Sequence, residues 1–288
     1  MSNKVYEIVT ERLLERIEKE GRLPWAKPWV HEAPKNLISG KIYHGFNLWL
    51  LLMAPYCSPY FLTFKQCQAR GGTVKKGEKG WPVIFWSFIE KEGKNPGTTE
   101  NIPFIRYYTV FNVEQCEGLE VPPLNSRAIN TNESLEACES IVRAMPKAPT
   151  ITHQDARAYY SPMQDRVNMP RLEAFNDSPS YYHTLFHELT HATGHESRLA
   201  RLKGQEALAR FGSEPYAKEE LVAEMGAAYL SGVAGIEASQ EDQTVAYLQG
   251  WISRIKGDPK LLVQAAGQAQ KAADFILGVK YNQESEGE

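Results

Sequence analysis

The chain has 288 residues, 42% of them hydrophobic, enough for one large domain or two ordinary ones. No apolar run reaches the ~18 residues of a membrane span. The first twenty residues read as a charged amphipathic helix rather than a signal peptide. These features lead us to expect a soluble, cytoplasmic protein. The net charge of −3 hides an asymmetry: residues 1–125 hold 16 Lys and Arg against 13 Asp and Glu, and the remainder 16 against 22. Within 21–110 the balance is 12 basic to 5 acidic residues, so one half is suited to a polyanion and the other is not. Cys57, Cys67, Cys116 and Cys138 form no CxxC and no zinc-ribbon spacing, and read as free thiols in a reducing compartment.

In chain order, Val5, Ile8, Val9, Leu13, Leu14 and Ile17 recur at helical spacing and predict a helix over about 3–19. Prolines at 24 and 28 then break regularity. A short apolar helix is expected over 44–54, and Thr63 can cap another that stops at Gly71-Gly72. Two aromatic, β-branched runs, 81–89 and 102–113, are separated by a polar loop and read as an antiparallel pair. The proline-containing polar stretch 117–135 marks a boundary. We place one domain at 1–125, a linker and first helix at 126–145, a second domain at 146–281 and an acidic tail at 282–288. A helix over about 133–145 precedes short strands with a turn near Ser161-Pro162, and from Ser178 onward the chain reads as nearly all helical. The fold class is α+β in two domains. The first mixes helix and sheet, and the second is mostly helical with a small antiparallel sheet.

Ser178-Pro179 reads as a helix start and Gly194 as its stop. Between them stands His187-Glu188-Leu189-Thr190-His191. Histidines four apart leave one face of a helix and can hold one cation. Glu188, beside them, can take the proton of a water that a metal has acidified. The extended motif with a third histidine after Gly194 fails, because position 197 is serine. His195 lies on the same stripe, but three ligands along one straight helix span about 12 Å, so it can join only if the helix ends first. The next helix, over 215–231, offers Glu220 and Glu224 on one face. We expect Glu220 as the third ligand and Glu224 as the partner of a histidine N–H. Ala223, Ala227 and Ala228 would let the two helices approach closely. This ligand set favours zinc over the oxygen-rich magnesium sites of nucleases. It also resembles the gluzincin pattern of thermolysin-like peptidases, although Glu224 stands where those usually have aspartate. Tyr159, Tyr160, His183 and Tyr216 are open candidates for stabilising an oxyanion.

Five of the six tryptophans precede residue 90: Trp25, Trp29, Trp49, Trp81 and Trp86. They are interleaved with cations. Lys27 stands between two of them, Lys75, Lys76 and Lys79 lie at a Gly-rich turn, and Arg106 adjoins Tyr107 and Tyr108. Bases stack on rings while phosphates pair with lysines, the pattern of sequence-tolerant single-strand binding. Half of the strand aromatics must face a core: Trp81, Val83, Phe85, Ser87 and Ile89, or else Ile84, Trp86 and Phe88.

The segments "PWAKPW", "NLISGKIYHGFN", "FLTFKQCQARGGTVKKGEKG", "YYTVFNVEQCEGL", "AYYSPMQDRVNMP", "FHELTHATGHESRL" and "YAKEELVAEMGAAYL" together resemble the ArdC-type antirestriction proteins of conjugative plasmids. The front half is also similar to the N-terminal region of TraC-type plasmid primases. The resemblance implies an N-terminal single-stranded-DNA-binding domain and a C-terminal zincin-like metallopeptidase domain. It further implies a role in protecting incoming plasmid DNA from host restriction, with a host restriction-system protein as a candidate substrate. Carried over, His187 and His191 are metal ligands, Glu188 the catalytic glutamate and Glu220 the third ligand; His195 belongs to the helix end. Lys27, Trp29, Lys41, Lys75, Lys76, Lys79, Arg106 and Tyr108 are the candidate DNA contacts. The competing expectation is a protein that only coats DNA, with a structural or vestigial metal site.

Overall fold

The computed structural model describes residues 2–21, 23, 32–92, 99–123, 131–202, 214–236 and 245–279. The chain divides into two compact units, one of Met1–Glu20, Ala33–Asn125 and Tyr281–Glu288, the other of Gly21–Glu32 and Ser126–Lys280. The expected acidic tail lies outside the described residues, as do Lys27 and Trp29. Among the described residues no helix is long and apolar enough to cross a membrane.

The first unit begins with helix α1 (Ser2–Glu20), which buries Val5, Val9, Leu13 and Ile17, the stripe its periodicity predicts. Strand β1 (Lys35–Asn36), helix α2 (Phe46–Leu52), strand β2 (Tyr60–Thr63), helix α3 (Phe64–Ala69) and strand β3 (Thr73–Val74) follow. Thr63 caps α3 in a reciprocal box: its hydroxyl takes the Gln66 N–H while the Gln66 side chain takes the Thr63 N–H. The two aromatic runs form one long antiparallel hairpin, β4 (Trp81–Glu92) with β5 (Thr99–Asn112). The sheet order is β1-β2-β5-β4, so β4 is an edge, which accommodates Pro82. Asn47 of α2 seals part of that edge. Its amide donates to the Ile84 carbonyl at 2.7 Å and accepts from the Ile84 N–H at 2.8 Å, as a neighbouring strand would. Strand β6 (Cys116–Glu117) pairs with β3.

Strict alternation fails at the start of β4. Trp81, Pro82, Val83 and Ile84 are all buried, because α1 and α2 both pack on the hairpin. Phe85 is 45% exposed and faces out, so the parity that holds Trp81 and Val83 in the core does not carry Phe85 with it.

The second unit contains helix α4 (Thr131–Ala144), strands β7 (Thr150–Thr152), β8 (Tyr159–Ser161) and β9 (Arg166–Asn168), and helices α5 (Ser178–Ala192), α6 (Glu214–Ala234), α7 (Val245–Gly257) and α8 (Leu261–Ile276). Its small sheet is mixed: β8 runs antiparallel to β9, and β7 parallel to it. Cys138, Ile141 and Met145, in and just after α4, join Val167 of β9 and Met169 just beyond it in one core with Leu185, Phe186 and Leu189 of α5 and Leu230 of α6. Burying each such side chain stabilises the fold by about 1.5–3 kcal/mol.

The start of α5 differs from expectation by one residue. Asp177, not Ser178, is the cap, and its carboxylate accepts the Ser180 N–H at 2.7 Å. Both residues can cap, but Asp adds a negative charge at the positive end of the helix dipole. At the other end α5 stops at Ala192, and Gly194 is buried. A Cβ on Gly194 would come within 2.6 Å of Leu202 Cγ, so this glycine permits the segment 194–202 to fold back against the helix end.

Candidate metal centre

Helices α5 and α6 run antiparallel. His183 Nδ1 meets Ser231 Oγ at 3.0 Å at one end, and His191 Nδ1 meets Glu219 at 3.1 Å at the other. The expected small residues line the contact, with Ala223 and Ala227 wholly buried. The helices also approach closely at Gly226, which the alanine pattern did not identify. A Cβ there would lie 2.6 Å from both Cγ2 and Oγ1 of Thr190.

This close packing brings His187, His191 and Glu220 together, each offering one donor atom, with all three atoms within 4.8 Å of one another. The two Nε2 atoms are 3.1 Å apart. Glu220 Oε1 is 3.5 Å from His191 Nε2, and Glu220 Oε2 is 3.7 Å from His187 Nε2. Three donors bound tetrahedrally to one ion at about 2.0–2.1 Å stand about 3.3 Å from each other, so the observed triangle fits a divalent cation. Glu188 is buried, on the same helix and within electrostatic reach of His191 and Tyr216. A divalent cation held by these three residues supplies Lewis acidity.

At His191 the carboxylate that meets the ring's second nitrogen is that of Glu219, 3.1 Å from Nδ1. His191 turns Nε2 toward the triangle, so its Nδ1 faces the N-terminal end of α6, where Glu219 lies; Glu224 is more than a turn further along. Nothing in the i, i+4 pairing of Glu220 with Glu224 signals this, and the neighbouring Glu-Glu doublet was the available clue. Sequence reasoning also missed Arg201. Its guanidinium grips Glu219 at two points, Nε to Oε2 at 2.9 Å and Nη2 to Oε1 at 2.7 Å. His195 lies past the helix end, but its Nδ1 bonds Ser197 Oγ at 2.8 Å rather than joining the triangle.

Charges in the cluster are strongly coupled. Burial alone would lower the His191 pKa, but hydrogen bonds to Glu219 and Glu220 outweigh it and carry the group up to about 10. Burial likewise works against ionised Glu219 and Glu220, and their histidine partners, joined for Glu219 by Arg201, hold both below the ordinary carboxylate value. His183 goes the other way. Burial, then the neighbouring His187, push it down to about 4, so it is neutral at pH 7. Burial, then Glu220, raise the Tyr216 phenol to about 12, which keeps it a proton donor beside Glu220. Tyr160 instead hydrogen-bonds Asp165 at 2.8 Å.

In the first unit, Lys41, Lys75, Lys76, Lys79 and Arg106 are exposed, and Tyr108 is 46% exposed. Lys75 Nζ donates to the Glu114 carbonyl at 2.9 Å. Phe85 packs edge-on against Tyr108, ring centres 5.3 Å apart, an exposed aromatic pair of which the sequence suggested only one member. Lys79 and Tyr107 line a shallow cleft of about 300 Å³ with Arg12, Glu11 and Glu15 of α1.

Residues 3–111 match the family model for the N-terminal domain of anti-restriction factor ArdC, and residues 136–268 match that for a zincin-like metallopeptidase. Crystal structures of the antirestriction ArdC protein from plasmid R388 are similar along nearly the whole chain at 36% identity. The metal-free form aligns with a TM-score of 0.72 over 94% of this chain and 96% of that one. The Mn(II)-bound form gives 0.76 over 96% and 98%. A DNA primase TraC of Escherichia coli is 36% identical over 96% of this chain, which spans only 27% of the primase. The uncharacterized protein y4eC of Sinorhizobium fredii is 31% identical over 94% of this chain and 91% of its own length.

Proposed function

We propose a function that proceeds from one established premise: the chain belongs to the ArdC family of antirestriction proteins, with an ArdC N-terminal domain and a zincin-like domain. In our reading, a domain over 1–125 holds single-stranded DNA as it enters the cell. A domain over 146–281, joined through 126–145, is a zinc peptidase that disables a component of the host restriction system. His187, His191 and Glu220 hold the ion, and Glu188 takes the proton of the attacking water. Tethering the two activities raises the local concentration of the peptidase around the DNA it protects.

The observation that carries this reading is the cluster of His187, His191 and Glu220, with the Nε2 atoms 3.1 Å apart, one Glu220 oxygen 3.5 Å from His191 Nε2 and the other 3.7 Å from His187 Nε2, and the buried carboxylate of Glu188 at its side. Zinc is favoured by two imidazoles and one carboxylate; the Mn(II) bound in the R388 relative makes manganese the second metal to load. The exposed Lys76, Lys79, Arg106, Phe85 and Tyr108 support the DNA half of the reading, while the Lys75 ammonium is engaged by the Glu114 carbonyl. Primase activity is not carried over, because the chain covers a minor part of the TraC proteins.

The test is transfer of a single-stranded plasmid into a restricting recipient, with metal content and oligonucleotide binding measured on the purified protein. Glu188→Gln should keep both metal and DNA while losing protection. If that variant protects as well as the wild type, the peptidase role is wrong and the chain acts by coating DNA.

A further inference from the structure

Arg201 stands ten residues beyond His191, outside every motif, yet its side chain is only 11% exposed. It makes four hydrogen bonds: the two to Glu219, one from Nη1 to Thr193 Oγ1 at 2.6 Å, and one from Nη2 to the Thr190 carbonyl at 2.5 Å. The Thr190 contact alone would make Arg201 a clasp for the C-terminal end of α5. That work is already done next door, where Arg198 Nε donates to the Ala192 carbonyl at 2.7 Å. Arg201 spends the planar fork of its guanidinium elsewhere, on a carboxylate of a different helix. A two-point fork fixes both the position and the plane of a carboxylate, which a single contact does not. The carboxylate so fixed accepts from His191 Nδ1.

We propose that Arg201 is a positioning residue of the metal centre: by locking Glu219 it holds the proton of His191 on Nδ1 and leaves Nε2 as a lone pair facing His187 and Glu220. The inference rests on the reading of those three residues as a metal site. The fold delivers Arg201 to this place. The Leu202 N–H bonds the Gly194 carbonyl at 2.9 Å, and Leu202 fills the space that a side chain on Gly194 would take. The chain thus leaves the motif helix, loops through 194–202 and returns Arg201 to the flank of the second histidine. An imidazole whose far nitrogen is free to change tautomer or rotate is a poorer ligand, and losing such a partner commonly weakens metal binding about 10–100-fold.

The experiment measures Zn(II) affinity of the full chain by competition with a chromophoric chelator, alongside the visible spectrum of the Co(II) form and thermal melting of the metal-free form. Arg201→Met should bind Zn(II) about 10–100-fold more weakly and alter the Co(II) spectrum. Arg201→Lys, which keeps the charge and loses the fork, should fall between. The double variant Arg201→Met/Glu219→Gln should bind no more weakly than Glu219→Gln alone, since one residue acts through the other. Unchanged affinity in Arg201→Met with only a lower melting temperature would overturn the proposal in favour of a helix clasp, as would additive losses in the double variant. If Arg201→Met does not fold, Arg201→Lys decides by the same two readouts. Failure of the wild type itself to bind one Zn(II) would instead remove the metal-site reading beneath it.

Discussion

Glu219 and Glu220 are neighbours in sequence and approach opposite nitrogens of one imidazole, Glu219 at 3.1 Å from His191 Nδ1 and Glu220 at 3.5 Å from Nε2. Consecutive helical residues diverge by about 100°, so a ring inserted between them is held on two sides. The two carboxylates should therefore fail differently. Glu220→Ala removes a donor and should lower Zn(II) affinity by at least ~100-fold. Glu219→Gln keeps an acceptor for Nδ1 but loses the charge that Arg201 grips, and should cost about 10–100-fold, at least as much as Arg201→Met. A chelator titration of the two variants checks the order, and a larger loss in Glu219→Gln than in Glu220→Ala would contradict it.

Gly226 sits in the interior of α6, where alanine would ordinarily be favoured by about 1 kcal/mol. Here the added methyl would meet Thr190 at 2.6 Å. Thr190 cannot yield easily, being fully buried with its hydroxyl bonded to the Phe186 carbonyl at 2.7 Å. Gly226→Ala should therefore destabilise the protein by about 1–3 kcal/mol in urea unfolding, with partial recovery in Gly226→Ala/Thr190→Ala. A more stable Gly226→Ala would mean that the helices are not held this closely.

These two cases show what a linear pattern can and cannot carry. His187, His191 and Glu220 were legible because i, i+4 spacing and ligand chemistry both constrain them. The α1 stripe, the Thr63 cap and the long hairpin were legible because each is written in local periodicity or capping chemistry. Glu219 and Arg201 were not, since their roles depend on the rotation of α6 about its own axis and on a loop returning to the helix end. Both are set by packing at Gly226 and Gly194. Phe85 was missed for a related reason: alternation fails at the start of β4, where α1 and α2 pack on the hairpin.

The exposed cations and aromatics of the first unit predict a division of labour. Lys76→Ala and Lys79→Ala should each flatten the dependence of log affinity on log salt by about 0.7 for single strands, as one phosphate contact is lost. Lys75, tied to the Glu114 carbonyl, should change the slope less. Phe85→Ala and Tyr108→Ala should each cost about 1–3 kcal/mol of binding and leave the slope alone. Fluorescence anisotropy with a labelled oligonucleotide at several salt concentrations separates the two classes, and equal slopes throughout would place the DNA elsewhere.

Asp165 and Arg198 predict the acid limb of stability. The Arg198 side chain is 1% exposed and pairs with Asp165, 34% exposed, while also donating to the Lys147 carbonyl at 2.8 Å. Burial would raise the Asp165 pKa, but hydrogen bonds from Arg198 and Tyr160 and the Arg198 charge outweigh it and leave the group below 3.8. A carboxyl depressed on folding stabilises the native state above its unfolded pKa, and the contribution is lost as pH falls through the folded value. Asp165→Asn should thus cost about 1–3 kcal/mol at pH 7, less than a fully buried pair because Asp165 is partly solvated and Arg198 keeps its carbonyl partners. The gap between variant and wild type should narrow steadily below pH 3.8. Urea midpoints at pH 7, 5, 4 and 3 check this; a gap that stays constant down to pH 3 would mean that the carboxylate charge contributes nothing and that only its shape matters.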